Sequence, residues 1–318
     1  MVPVYPGQEN ALKIVRFSVA NASRSRLGVV TPAGVIDLSA AWRDHQGVET
    51  DPGAAAPPDS VAALLDGGEG ALARARLVSD WASTEGRPRP GVTWPMDKVR
   101  LLAPLERPPK IVCIGMNYRD HCRELGQDLP ATPIVFAKFG TAVIGPDEPI
   151  IRPRITRKLD YEAELGVVIG KGGRHIPEHR ALDHVAGYLD FNDVSARDLQ
   201  FGDGQWVRGK TCDTFAPMGP ALVTRDEIPD PQNLAVLCRV NGKTVQQSNT
   251  GQMIFSVAFI VAFLSEFMTL EVGDVIATGT PPGVGVFRKP PVFLQPGDVV
   301  EIEIEGLGTL RNPVRDEE

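Results

Sequence analysis

The stretch DYEAELGVVI, residues 160–169, places two acids on a segment whose pattern is that of a β-strand. Side chains alternate along a strand, so Glu162 and Glu164 share one face and lie about 6–7 Å apart at the backbone. Like charges this close repel each other unless a cation lies between them. Oxygen ligands bind Mg²⁺ at roughly 2.0–2.1 Å, and flexible glutamates can converge on one ion. The pair therefore predicts a divalent metal site, with a solvent-facing edge strand as the alternative.

A third acid follows in NDVSARDLQ, residues 192–200, which predicts the end of a strand and then a helical turn. Asp193 at the strand end can supply a third oxygen to the metal. Three carboxylates leave about half of an octahedral shell open for water and substrate, as catalysis requires. Asp190 and Asp198 compete for this role on composition alone, but Asp198 has capping-box-like spacing from Ser195 and is expected to cap a helix.

A histidine and a glutamate lie three residues apart in GMNYRDHCRELG, residues 115–126. The segment predicts a short helix that Asn117 can cap and Gly126 can end. His121 and Glu124 then face the same way, so the carboxylate can orient the ring and stabilise its cation. This arrangement suits a general base, and the alternative is a surface pair with no catalytic role.

Two further segments carry groups that suit catalysis. Lys210, beside Gly209, can reach into a cleft and stabilise developing negative charge, or it is an ordinary solvated lysine. The turn ATGTPPGVG, residues 277–285, exposes backbone N–H groups and the hydroxyl of Thr280. It lacks the G-K-[ST] ending of a phosphate loop, so nucleotide binding is not expected. An anion such as a substrate carboxylate can still be held there.

The charge and hydropathy of the chain disfavour nucleic-acid and membrane partners. The net charge is −7 at pH 7, and no run of lysines or arginines forms a basic stripe. The longest dense apolar run, residues 257–264, is far shorter than the roughly 18–20 residues that span a bilayer. It predicts the centre of a buried helix over residues 252–268.

Cysteine usage and the first residues bear on the cellular compartment. The four cysteines show no C-x-x-C spacing, which argues against a zinc ribbon and a disulfide framework and favours reduced thiols. Residues 1–12 show no basic segment followed by an apolar core, so no signal peptide is recognised. Together these features predict a cytoplasmic protein.

The length of 318 residues predicts a large catalytic domain and a smaller appendage. Residues 1–105 predict a small α+β domain, with a hairpin over residues 13–38, a loop over residues 46–60 and helices near residues 61–65 and 69–85. Residues 106–318 predict a strand-rich domain. Its predicted strands cover residues 110–114, 164–169, 186–191, 221–223, 235–240, 274–277 and 298–304. Regular helices do not separate them, so the fold class is α+β and β-rich, a roll or distorted barrel rather than a doubly wound sheet.

With these segments identified, the chain resembles the fumarylacetoacetate hydrolase family over nearly all of residues 108–318. The resemblance implies a mixed β-roll or barrel catalytic domain that is usually a homodimer. It also implies a site for Mg²⁺ or Mn²⁺, which Ca²⁺ can replace in crystals. The matches occur in the family's order: GMNYRDHCRELG at 115–126, LDYEAELGVVIG at 159–170, NDVSARDLQ at 192–200, RGKTCDTFAPMGP at 208–220 and TLEVGDVIATGTPPGVG at 269–285.

The resemblance also implies a role for each candidate residue. The implied metal ligands are Glu162, Glu164 and Asp193. His121 and Glu124 would form a water-activating dyad on a short helix that can act as a lid. Lys210 would be the active-site lysine, and the residues in contact with a small anionic keto-acid substrate would be Tyr118, Arg197, Gln200 and Thr280.

The dyad favours members of the family that use water. The sequence therefore predicts a metal-dependent hydrolase that cleaves a C–C bond in a 2,4-diketo acid of the acylpyruvate type, giving pyruvate and a carboxylic acid. The alternative with the same fold and site is a decarboxylase, isomerase, lyase or dehydratase that acts on a 2-oxo acid. It would use the metal-bound enolate that the hydrolase would also form. A homologue that binds a keto acid without turning it over is the alternative from another class.

Overall fold

The structure of the chain is a computed structural model that describes residues 12–19, 24–48, 56–84, 89–202 and 204–318. The helices are α1 (Leu38–Val48), α2 (Val61–Asp66), α3 (Gly68–Ser83), α4 (Arg119–Leu125), α5 (Arg197–Gln200), α6 (Val207–Lys210) and α7 (Val257–Phe267). The strands are β1 (Lys13–Val19), β2 (Arg26–Thr31), β3 (Gly34–Asp37), β4 (Thr93–Trp94), β5 (Val99–Leu102), β6 (Ile111–Gly115), β7 (Ile134–Lys138), β8 (Val143–Ile144), β9 (Ile150–Arg152), β10 (Leu159–Asp160), β11 (Ala163–Ile169), β12 (Val185–Asn192), β13 (Ser195–Ala196), β14 (Ala216–Thr224), β15 (Ala235–Val240), β16 (Lys243–Asn249), β17 (Val275–Ala277), β18 (Val299–Ile304) and β19 (Gly308–Asp316).

The described strands form one large sheet, one five-stranded sheet and one short pair. The large sheet has the order β4-β3-β2-β1-β14-β12-β11-β17-β6-β7, with β5 beside β1 and β8 beside β14. The second sheet has the order β16-β15-β18-β19-β9, and β10 pairs with β13. The predicted α+β, strand-rich class is confirmed. Of the expected roll or distorted barrel, a closed barrel is not formed within the described residues, because the large sheet ends at β4 and β7.

The order of four neighbouring strands brings distant parts of the chain to one edge of the large sheet. β17 runs parallel to β6, so the carboxyl ends of these two strands lie side by side. β11 runs antiparallel to both β12 and β17, so its start lies beside their ends. The segments that follow β6, β12 and β17, and the segment that precedes β11, therefore meet at this edge.

β11 and β12 are buried along their whole length, which explains their apolar composition. Ala163 pairs with Asn192 across the two strands, and Glu164 pairs with Phe191. The N–H of Asp193 then donates to the carbonyl oxygen of Glu162 at 2.9 Å. This register places Asp193 beside the acidic pair that opens β11.

Most predicted elements of residues 12–105 are confirmed. β2 and β3 form the expected hairpin across Pro32 and Ala33, and α2 and α3 lie where helices were predicted. Helix α1 was missed, because the strand pattern was extended through Leu38 and a loop was predicted from Gln46. Residues 49–55 of that predicted loop lie outside the described residues.

The proposed domain boundary near Leu105 stays a prediction. β1 pairs with β14 through Lys13 and Val223, so the strands before residue 105 continue the sheet of the later part.

The helix predicted over residues 252–268 is confirmed as α7. No helix in the described part of the chain has the length and apolar character needed to cross a bilayer.

The sequence suggested that Asn117 caps α4. The side chain of Asn117 instead joins three segments at the sheet edge described above. Its Nδ2 donates to the carbonyl oxygens of Thr278 at 2.8 Å and Phe255 at 3.1 Å. Its Oδ1 accepts the N–H of Phe255 at 2.8 Å. The side chain is fully buried. Asn117 therefore fixes the end of β6 against the residues that follow β17 and those that precede α7.

We predict that Asn117→Ala lowers the free energy of unfolding by about 2–4 kcal/mol, because it leaves buried partners without hydrogen bonds. Chemical denaturation measures the change. Asn233→Ala is the matched control, since Asn233 is exposed and accepts a single hydrogen bond of 3.3 Å from Asn249. Equal, small effects of both substitutions would contradict the assigned role of Asn117.

Candidate metal centre and active site

Three buried carboxylates converge at the shared edge of β11 and β12. One oxygen each from Glu162, Glu164 and Asp193 lies within 4.8 Å of the others. Oxygens that share an octahedral Mg²⁺ ion are about 3–4.2 Å apart, so a small inward movement of these carboxylates lets them share one such ion. All-oxygen donor sets favour Mg²⁺, Mn²⁺ and Ca²⁺ over softer metals. The sequence prediction that these three acids come together is confirmed.

The two competing acids have other partners. Asp190 is fully buried and accepts the N–H of Ile304 at 3.0 Å, and its burial raises its pKa well above the ordinary value. Asp198 accepts hydrogen bonds from the Thr156 hydroxyl and the N–H of Arg157. Asp198 therefore stabilises the turn before β10 and does not form the predicted capping box, because Ser195 belongs to strand β13.

Cationic side chains surround the carboxylate cluster. The Nζ of Lys210 lies 2.7 Å from both Glu162 and Asp193. The guanidinium of Arg197 lies 2.7 Å from Glu162 and 2.8 Å from the buried Asp160. Lys138, which the sequence analysis did not single out, lies 2.7 Å from Asp193.

The positive charges are unevenly shared among the acids. Burial alone would raise the pKa of Glu162, but Lys210 and Arg197 outweigh burial and hold that pKa at about 2. Glu164 forms no ion pair with any described residue, and its Oε2 accepts only the N–H of Gly279 at 2.9 Å. Burial and the charges of Asp193 and Glu162 raise the pKa of Glu164 well above its ordinary value. A bound cation would relieve this repulsion, so the residues present fit a divalent metal.

His121 and Glu124 form the predicted pair on α4, and the histidine is buried. The Nδ1 of His121 lies 3.0 Å from the Oε2 of Glu124, and its ring packs on Phe287 with centroids 5.9 Å apart. An ionised carboxylate only accepts hydrogen bonds, so the proton of this contact belongs to Nδ1. The lone pair of Nε2 is then available to take a proton, as a general base requires.

The loop after β17 connects this dyad to the carboxylate cluster through its backbone. The N–H of Gly283 donates to the carboxylate of Glu124 at 3.1 Å, and the N–H of Gly279 donates to Glu164. Further along, the N–H groups of Gly285 and Val286 donate to Asp160 at 2.7 and 2.9 Å. From the sequence, this loop was able to hold an anion such as a substrate carboxylate. These N–H groups instead hold the protein's own carboxylates.

The four predicted substrate contacts occupy different environments, and their roles stay predictions. The hydroxyl of Tyr118 is buried without a hydrogen-bond partner in the described structure. The hydroxyl of Thr280 donates to the carbonyl oxygen of Ala163 at 3.0 Å and accepts from Gln246 at 2.9 Å. The Nη1 of Arg197 donates to the Oε1 of Gln200 at 2.9 Å, so Gln200 helps to orient that guanidinium.

Sequence reasoning missed Lys138, Asp160 and Gln246 as parts of the site. All three are buried polar groups with several partners. Gln246 accepts the N–H of Ala163 at 2.9 Å and so fixes the start of β11. The available signal was a lone polar residue within a strand-like stretch, as in IVFAK at residues 134–138.

Comparisons with known proteins agree with this architecture. The family model described as fumarylacetoacetate (FAA) hydrolase C-terminal matches residues 110–315. A relative from Xenopus laevis, "Oxaloacetate tautomerase fahd2, mitochondrial", is 46% identical over 308 residues, which cover 96% of this chain and 90% of that protein. The solved structure of a fumarylacetoacetate hydrolase from Exiguobacterium antarcticum has a TM-score of 0.78 and 38% identity, with 96% of this chain and 100% of that chain covered. The structure of a 5-carboxymethyl-2-hydroxymuconate delta-isomerase from Mycobacterium smegmatis has a TM-score of 0.71 and 32% identity, with 96% and 100% covered.

The prediction of a cytoplasmic location is wrong, since the name of the Xenopus relative places that protein in mitochondria. The prediction relied on reduced thiols and on the lack of a basic segment followed by an apolar core. That pattern identifies secretory signal peptides, and its absence does not identify the cytoplasm.

We predict that Glu164→Gln weakens Mn²⁺ binding about 10-fold or more, because it removes a charged oxygen ligand from the cluster. Glutamine has the same size and can still accept the N–H of Gly279, so the fold should persist. Isothermal titration calorimetry measures the affinity. Asp190→Asn is the matched control, a buried acid outside the cluster, and it should bind Mn²⁺ as the unmodified protein does. Unchanged affinity of Glu164→Gln would contradict the assigned ligand set.

Proposed function

The chain belongs to the fumarylacetoacetate hydrolase family, and from this premise we propose that it is a divalent-metal-dependent tautomerase of a small 2-oxo dicarboxylate such as oxaloacetate. The Xenopus relative that carries the name oxaloacetate tautomerase aligns with nearly the whole chain. A structural neighbour is also named as an isomerase, and a tautomerase is an isomerase as well.

The observation that carries the proposal is the buried carboxylate cluster, which the loop after β17 connects to the pair formed by buried His121 and Glu124. Glu162, Glu164 and Asp193 would hold the cation, with Mg²⁺ or Mn²⁺ as the ions that suit their oxygens. A divalent cation bound there would supply a Lewis acid, which would polarise the ketone and make the hydrogens on the neighbouring carbon more acidic.

His121 moves the proton in this proposal. Its Nε2 takes a proton from C3 of the keto form and returns it to the oxygen on C2, which gives the enol, and the reverse sequence restores the ketone. Glu124 keeps the ring in the required tautomer and stabilises the imidazolium between the two transfers. Because one group both removes and returns the proton, no other reactant is consumed.

Lys210 stabilises the negative charge that develops on the C2 oxygen. Burial lowers the pKa of Lys210, but Asp193 and Glu162 outweigh burial and raise that pKa above its ordinary value. The ammonium therefore stays charged and acts as a hydrogen-bond donor, not as a proton source. Tyr118, Arg197, Gln200 and Thr280 are proposed to contact the substrate, and the expected homodimer stays a prediction.

A second candidate function is hydrolysis of an acylpyruvate. The observation that favours it is the same free Nε2 of His121, which can take a proton from water as well as from carbon. Water would then attack the C4 carbonyl, and cleavage of the C3–C4 bond would release pyruvate and a carboxylic acid. Both functions use an enolate, so the presence of the dyad alone does not separate them.

We predict that the protein accelerates the keto–enol interconversion of oxaloacetate in the presence of Mn²⁺, and that His121→Asn slows it about 10²–10⁴-fold. The decay of enol absorbance, corrected for the spontaneous rate, measures this. His175→Asn is the matched control, because His175 lies 3.5 Å from Glu266 in a similar but exposed pair. Equal rates for the two variants would rule out the dyad as the proton carrier.

Product analysis by NMR separates the candidate reactions. With oxaloacetate, the proposal predicts exchange of the C3 hydrogens with D₂O and no faster formation of pyruvate than in buffer with Mn²⁺ alone. With acetylpyruvate, formation of pyruvate and acetate would establish hydrolysis instead. Enzyme-dependent pyruvate from oxaloacetate would indicate a decarboxylase. Binding of either compound without turnover would indicate a non-catalytic homologue.

A further inference from the structure

Lys138, the last residue of β7, has a side chain with no exposed surface. Its Nζ donates to the carbonyl oxygens of Val194 at 3.0 Å and Phe215 at 2.7 Å, and to that of Lys210. Val194 follows β12, whereas Lys210 and Phe215 lie five residues apart, at the end of α6 and just before β14, so Lys138 joins two segments of the chain. A lysine ammonium has three hydrogens, so the three carbonyls account for all of them.

The contact of Lys138 with Asp193 is an ion pair without a hydrogen bond. Nζ lies 2.7 Å from Oδ1, yet Oδ1 accepts no hydrogen bond from any described residue. With the three carbonyls as acceptors for the three ammonium hydrogens, Oδ1 has lone pairs left for a metal. Lys138 therefore attracts the carboxylate and fixes its position without occupying the electrons that a metal would use.

Lys210 makes the opposite kind of contact with the same carboxylate. Its Nζ donates hydrogen bonds to Asp193 Oδ2 and Glu162 Oε2, both at 2.7 Å. Within the described residues, this ammonium donates hydrogen bonds only to metal-ligand candidates, so a bound cation would compete with it directly. The backbone carbonyl of Lys210, by contrast, is held by Lys138.

We propose that Lys138 is a positioning residue for the active site. It holds the carboxylate of Asp193 in the position that binds the cation. It also holds the backbone of Lys210 while the Lys210 ammonium changes its hydrogen-bond partners. This inference rests on the proposed metal-dependent function. It assigns different roles to two buried lysines that lie at the same distance from one carboxylate: Lys138 preorganises the cation site, and Lys210 competes with the cation.

The sign of the change in metal affinity separates this role from a simple charge effect. If each lysine acted only through its charge, removal of either one would relieve repulsion of the cation and strengthen binding. If Lys138 positions Asp193, its removal weakens binding, as loss of a group that orients a metal ligand commonly does by about 10–100-fold.

The test compares Lys138→Met and Lys210→Met with the unmodified protein by calorimetric titration with Mn²⁺, with thermal unfolding as a check on folding. Methionine has a similar length and carries no charge. We expect Lys138→Met to bind Mn²⁺ about 10-fold or more weakly. Lys210→Met should bind at least as tightly as the unmodified protein, although its turnover should fall. Lys138→Arg keeps the charge but spreads its donors over a planar fork, so it should also weaken binding.

The possible results of these titrations test the positioning role of Lys138 and the proposed function separately. Tighter binding by Lys138→Met, or equal weakening by the two methionine variants, would overturn the positioning role. If Lys138→Met does not fold, Lys138→Arg carries the test, and unchanged affinity of that variant would overturn the role. Absence of Mn²⁺ binding by the unmodified protein would instead overturn the proposed function and this inference with it.

Discussion

The burial of four carboxylates at one sheet edge is the constraint on which the rest of the site depends. Asp160, Glu162, Glu164 and Asp193 are almost completely buried, and isolated charges in such a place would be strongly unfavourable. Lys138, Arg197 and Lys210 compensate three of them, and each cation contacts more than one partner. Glu164 is left with repulsion from its neighbours and one backbone hydrogen bond. The edge is therefore suited to one further cation, and the surrounding ion pairs keep the candidate ligands in place.

Backbone geometry connects this electrostatic centre to the proposed proton carrier. The strand order places the start of β11 beside the ends of β12, β17 and β6, so the loop after β17 passes both sites. Its N–H groups hold Glu164 and Glu124, and Phe287 packs on the His121 ring. Gly279 has φ +103°, and a Cβ there would lie 2.7 Å from that of Asn117, so only glycine fits this close approach. The loop thus supports both the proposed base and the carboxylate cluster.

The sequence predicted the residue pairs whose arrangement depends on local periodicity. Alternation along a strand placed Glu162 with Glu164, helical spacing paired His121 with Glu124, and both pairs are present. Properties set by long-range pairing were not predictable in this way. The counterions Lys138 and Arg197 lie tens of residues from their acids, Asn117 has partners beyond residue 250, and the loop N–H groups turned out to hold internal carboxylates. The open large sheet likewise follows from strand pairing, which the strand patterns do not specify.

The most direct measurement of the central claim is anomalous diffraction at the manganese edge, from crystals grown with Mn²⁺ and oxalate as a mimic of the pyruvate enolate. The account predicts one strong anomalous peak within bonding distance of Glu162, Glu164 and Asp193. It also predicts Lys138 in its place against Asp193 and the Lys210 ammonium withdrawn from the carboxylates. Crystals without a peak at this position, in which Lys210 still bridges Glu162 and Asp193 at millimolar Mn²⁺, would contradict it.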